Sequence, residues 1–129
     1  MSTPFTPVKP PKSPDPKRDN RIQDEIVVDA YDDEEVLGSW YVYLEDTLEF
    51  PFEAKIRVET AKKGKGTASV QVTIVGMADQ DYCGLRCIWF LAQQEGQDWL
   101  FYVPVSDITA VAAGKETVQA LTDWLYWLK

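Results

Sequence analysis

Residues 32–58 read DDEEVLGSWYVYLEDTLEFPFEAKIRV, and within them the hydrophobic period changes. Val36, Trp40, Leu44 and Leu48 recur every fourth residue with Leu37 and Tyr41 beside them. That spacing lays one apolar stripe along a helix from about Asp33 to Leu48. Asp32 followed three residues later by Glu35 marks the start as a capping box, and Asp33 and Glu34 sit where the helix dipole favours negative charge. Pro51 marks the stop, because it lacks an amide proton and holds Phe50 away from helical geometry. Beyond it Phe52, Ala54, Ile56 and Val58 alternate with Glu53, Lys55, Arg57 and Glu59, the pattern of a half-exposed strand. An acidic helix therefore hands over directly to a sheet.

Working outward, the cationic segment Lys62 to Gly66 reads as a turn, and Ala68, Val70, Val72 and Ile74 alternate again, so an antiparallel hairpin is predicted. Gly76 to Gly84 breaks the pattern. Leu85 to Gln93 and Trp99 to Val103 read as two further strands around a turn at Gly96, with Val105 to Ile108 after Pro104 as a short strand or turn. Lys115 to Leu128 puts Val118, Leu121, Leu125 and Leu128 on one helical face. Upstream, Ile26, Val27 and Val28 between acids suggest a short strand within residues 22–29. The fold class is α+β: a bent antiparallel meander of four to five strands, a small partly open SH3-like barrel, flanked by an acidic N-terminal helix and a C-terminal helix.

The chain of 129 residues is of single-domain size, and five Trp, six Tyr and five Phe are ample for one core. Residues 1–20 hold six of the eight prolines and read as a disordered Pro-rich tail, with residues 21–129 as the single domain. The segment PVKPPKSP, residues 7–14, also suits a proline-motif ligand. Residues 1–21 carry five Lys/Arg against two Asp, so of the net charge of −8 the remainder of the chain carries −11. Such a domain repels nucleic-acid phosphates and anionic membranes and attracts cations or a basic protein partner. Cys83 and Cys87, placed on one strand, would stand roughly 13 Å apart, too far for a disulfide, so reduced thiols and a cytoplasmic location are expected. There is no His, no nucleophile with its base, no phosphate-cradling glycine loop and no apolar run of membrane-spanning length. The reading is a soluble monomer without enzymatic activity.

Two stretches could hold a cation. In GMADQDYCG, residues 76–84, Asp79, Asp81 and Gly84 stand at the first, third and sixth positions of an EF-hand loop, but Phe90 occupies the twelfth, so an EF-hand is rejected. What survives is a pair of carboxylates on a loop, a donor set that calcium accepts, against the alternative of an ordinary acidic turn. The second stretch runs from Arg21 to Lys55 and contains eleven acids and no base. Glu45, Asp46 and Glu49 crowd the helix C-terminus, where the dipole opposes them and a divalent cation would compensate. The surrounding aromatic residues read most simply as core.

The runs EIVVDAYDDEE (25–35), GSWYVYLEDTLEFPF (38–52), VTIVGMADQD (72–81) and LTDWLYW (121–127) resemble the small acidic cyanobacterial calcium-binding proteins, a family without EF-hands. The resemblance spans Ile22 to Lys129 and leaves residues 1–20 outside. It implies reversible binding of Ca2+ by a cytosolic calcium buffer or sensor, in that family linked to cell differentiation. The matching acids, and so the implied ligands, are Asp29, Asp32, Glu45, Asp46, Asp79 and Asp81. The alternative reading is an acidic protein-interaction module with no metal function.

Overall fold

The computed structural model describes residues 4–59, 67–84 and 87–128. In chain order the elements are β1 (Thr6–Pro7), α1 (Pro16–Arg21), a π-helical turn (Ile22–Ile26), α2 (Asp33–Thr47), β2 (Phe52–Glu59) and β3 (Thr67–Met77). A 3-10 turn (Gln80–Tyr82), β4 (Trp89–Gln93), β5 (Phe101–Pro104), a second 3-10 turn (Val105–Asp107), β6 (Ile108–Ala112) and α3 (Lys115–Trp127) complete it. The strands form one open antiparallel sheet in the order β1-β6-β2-β3-β4-β5.

The α+β architecture, the helix from Asp33, the hairpin and the C-terminal helix are as the sequence predicts. Asp32 caps α2, its carboxylate accepting the Glu35 amide at 2.8 Å. The hairpin pairs Phe52 with Ile74 through to Glu59 with Thr67, and the predicted turn at Lys62 to Gly66 lies outside the described residues. Phe52, Ala54 and Ile56 on β2, Val72 and Ile74 on β3, and Phe90 and Ala92 on β4 are buried, one face of the sheet. Trp40 and Leu44 on α2 join that core, as do Ala120, Leu121 and Trp124 on α3. The Trp40 and Trp124 rings meet edge to face at 5.2 Å, the arrangement aromatic quadrupoles favour.

Three local expectations change. Residues 22–26 are a π-helical turn, not a strand: α1 runs straight into them, and Ile22 and Ile26, one turn apart, both reach the core while Val28 stays exposed. Cys83 and Cys87 are not on one strand. Gly84, next to Cys83, and Cys87 form an isolated antiparallel bridge through two backbone hydrogen bonds, and both cysteines are free thiols. The sheet also gains β6, whose ITAVA sequence alternates weakly because its alanines carry little side chain on either face.

The N-terminal segment differs most. From residue 4 it lies on the domain rather than trailing away from it. β1 pairs with β6, Val8 is 4% exposed and its amide donates to the Thr109 carbonyl at 2.9 Å. Phe5 stacks under Lys55 Nζ at 4.7 Å. Asp15 caps α1, and Arg18 and Arg21 grip the buried Asp123 of α3. Composition indicated disorder because apolar residues are few here, whereas the anchors are mainly backbone pairing and ion pairs.

Candidate metal centre

The buried stripe of α2 faces α3 and the sheet, so its other side presents Glu35, Val42, Glu45 and Asp46 to solvent. Two groups of acids meet it from opposite neighbours. The first lies at the turn that follows β3. Asp79 caps this turn, its carboxylate accepting the Asp81 amide at 3.2 Å while its carbonyl accepts the Tyr82 amide at 2.9 Å. The Tyr41 hydroxyl of α2 donates to the Ala78 carbonyl at 2.7 Å, which ties the helix to the entrance of the turn. Burial raises the Tyr41 pKa, and the negative charges of Glu45 and Asp79 add to the rise, so both carboxylates lie within electrostatic reach of one hydroxyl.

The second group lines a shallow cavity of about 680 Å³ between α2 and the segment that precedes it. Glu25 and Asp29 come from that segment, Glu35 and Asp46 from α2, with Ile26, Val28 and Val42 as the apolar lining. Gln80, from the first turn, lies against Gly38 and also lines this cavity, so the two acidic groups are neighbours across one glutamine. A side chain at Gly38 would fill the contact, since its Cβ would stand 3.6 Å from Gln80 Nε2.

Of the residues singled out in the sequence, the structure therefore brings Asp29 and Asp46 to one cavity and Asp79 and Glu45 to one tyrosine. Asp81 is exposed on the turn, and Asp32 is engaged as a helix cap. Among the described residues no three acidic or thiol side chains converge on one point. Glu25 and Glu35 lie in the acidic stretch but outside the implied ligands, and Gln80 was not anticipated. Glu25 lies in the π-helical turn and Asp29 in the turn just beyond it, so their approach depends on helical backbone where a strand was predicted.

This donor set is hard oxygen: carboxylates, an amide and turn carbonyls, which suits calcium with its six to eight oxygen ligands. Burial raises the pKa of Cys83 and of Cys87, so at neutral pH they remain thiols rather than the thiolates that softer metals require. Among the described residues no helix is long and apolar enough to cross a membrane.

Comparison with known proteins agrees with this chemistry. A family described as calcium binding, of the CcbP type, matches residues 20–128. The crystal structure of CcbP from Anabaena is 39% identical, covers 92% of this chain and 94% of that chain, and superposes with a TM-score of 0.80. A calcium-binding protein in its calcium-binding form is 40% identical, with 88% and 90% of the two chains covered and a TM-score of 0.76. No curated protein matches. With sequence matched over nearly its whole folded length and the same backbone, the chain belongs to the CcbP calcium-binding family, which is not a family of enzymes.

Proposed function

We propose that the acids gathered on α2 and the Asp79–Tyr82 turn hold calcium reversibly, and that the protein works as a cytoplasmic calcium buffer or sensor without catalytic activity. The observation that carries this reading is the meeting of the two acidic groups at Gln80, between a rigid helix and a short turn. Asp79, Asp81 and Glu45 supply oxygens on one side, Asp29 and Asp46 with Glu25 and Glu35 on the other, and Asp32 adds charge from the helix cap. The acids are near one another without forming a closed cage, and mutual repulsion keeps them so until a divalent cation offsets it. Calcium tolerates such an irregular, flexible set of oxygens, whereas magnesium demands a small octahedron. The charge of the domain suits a basic partner for the loaded protein, which acts as a monomer.

Isothermal titration of the full chain with calcium, followed by amide chemical shifts, tests the reading. Saturable binding that magnesium competes with poorly is expected, with the largest shifts at residues 25–46 and 78–83. Absence of saturable heat and of shifts would overturn it.

A further inference from the structure

The two edges of the sheet are treated differently. At one edge β1 covers β6, whereas β5 pairs with β4 and, among the described residues, with no other strand. Natural edges are usually blunted by shortness, by Pro or Lys, by a bulge or by a covering segment. This one is four residues long and ends at Pro104, but it carries no Lys, no bulge and, among the described residues, no covering strand. Phe101 and Val103 point to the core side of β5, so Leu100 and Tyr102 share the outer face, each 49% exposed, and Trp99 before them is 62% exposed. Tyr82, 63% exposed, stacks against Tyr102 with ring centroids 5.4 Å apart and extends the apolar surface towards the Asp79–Tyr82 turn. An open edge beside contiguous exposed aromatic rings is the anatomy of a protein-binding site.

Charge identifies the occupant. Leaving aside Asp79 and Asp81, which are given to calcium, the chain between Tyr82 and Lys115 carries the acids Glu95, Asp98 and Asp107 against the single base Arg86. A second copy would bring the same acids against themselves. An extended segment with alternating Lys or Arg would instead pair its backbone with β5, place cations over the tyrosine rings and add charge opposite to that of the acids that precede and follow β5 in the chain.

We infer that the β5 edge, with Tyr82, Leu100 and Tyr102, docks an extended basic segment of a partner protein by strand addition. Tyr82 shares its turn with Asp79 and Asp81, so an ion held there fixes the ring against Tyr102 and strengthens docking. In that coupling alone the inference rests on the calcium reading. A ligand shifts such an equilibrium only by its differential affinity for the two arrangements, and the shared turn supplies the difference.

The test uses the full chain and a labelled peptide in which Lys alternates with Val and Thr, beside its counterpart with Glu in place of Lys. Fluorescence anisotropy should show the Lys peptide binding at least about tenfold tighter than the Glu peptide, and amide shifts should centre on residues 100–104. Saturating calcium should tighten binding by about fivefold or more. Leu100→Lys with Tyr102→Lys should weaken binding at least about tenfold while leaving the calcium titration unchanged, and Tyr82→Ala should remove most of the calcium effect. No binding of the Lys peptide up to about 1 mM, equal binding of the two peptides, or shifts centred elsewhere would each overturn the docking surface. Calcium binding with unchanged peptide affinity would overturn the coupling. Peptide docking at residues 100–104 without any calcium binding would overturn the calcium reading and leave the surface standing, so the two failures are distinct.

Discussion

Asp123 is buried on α3, and its charge is met by Arg21 through Nη1 at 2.6 Å and Nη2 at 2.8 Å and by Arg18 Nη1. Removing one member of such a group leaves the others desolvated and unpaired, which costs more than the pair itself contributes. The guanidinium side chains keep 20% and 28% of their exposure, so water screens part of the loss. Asp123→Asn is expected to lower stability by about 2–3 kcal/mol, read from urea unfolding, with most of the loss absent in a variant already lacking Arg18 and Arg21. Asp15 responds to pH. Its pKa is held below 3.8, first by the hydrogen bond from the Arg18 amide and then by the Arg18 and Arg21 charges. The support it gives α1 is therefore complete above 3.8 and is lost as pH falls through its lower folded value, so the protection of amides in residues 16–21 relative to their intrinsic exchange rates should fall only in acid. The thiols of Cys83 and Cys87 have raised pKa values, chiefly through burial. At pH about 8 both should alkylate with iodoacetamide more slowly than a free cysteine, and equal rates would show that burial does not protect them in solution.

At the scale of elements, the N-terminal segment and the Asp79–Tyr82 turn carry the testable claims. Deleting residues 1–15 removes β1, the buried Val8 and the cap of α1. Val8 alone contributes roughly 1.5–3 kcal/mol, so the melting midpoint should fall by several degrees; an unchanged curve would mean that the segment does not pack in solution. Calcium affinity should be little altered, because the acids lie on other elements. The turn behaves in the opposite way. Changing Asp79 and Asp81 together to Asn keeps their size and removes two charges, and the turn is exposed, so the circular dichroism spectrum should not change. At least a tenfold loss of calcium affinity is expected, and retained affinity would move the ion to the cavity of Asp29 and Asp46.

For the whole molecule, an ion that binds only the folded state stabilises it by mass action. Calcium at about 100 times its Kd adds about 2.7 kcal/mol, or roughly 10 °C in melting midpoint for a chain of this size, and an unshifted melting curve would count against binding. What was legible in the sequence was whatever depends on neighbours in the chain. The stripe of Val36, Trp40, Leu44 and Leu48, the Asp32 cap, the stop at Pro51 and the alternation from Phe52 are local patterns, and they specified α2, the β2–β3 hairpin and α3 before any contact was known. The acid excess was equally local, and it directed attention to calcium. Which acids meet was not. Glu25 and Asp29 join Asp46 only because Ile22 and Ile26 bury as helical turns, and the Asp79 turn comes to α2 only because Tyr41 bonds the Ala78 carbonyl 37 residues away. The N-terminal segment shows the same division. Its composition predicts disorder, yet Asp123, more than 100 residues further along, supplies the buried charge that holds Arg18 and Arg21. Local patterns arise from backbone geometry and the hydrophobic period, whereas a site and an ion pair depend on distant residues brought together by packing, and only the tertiary structure decides those.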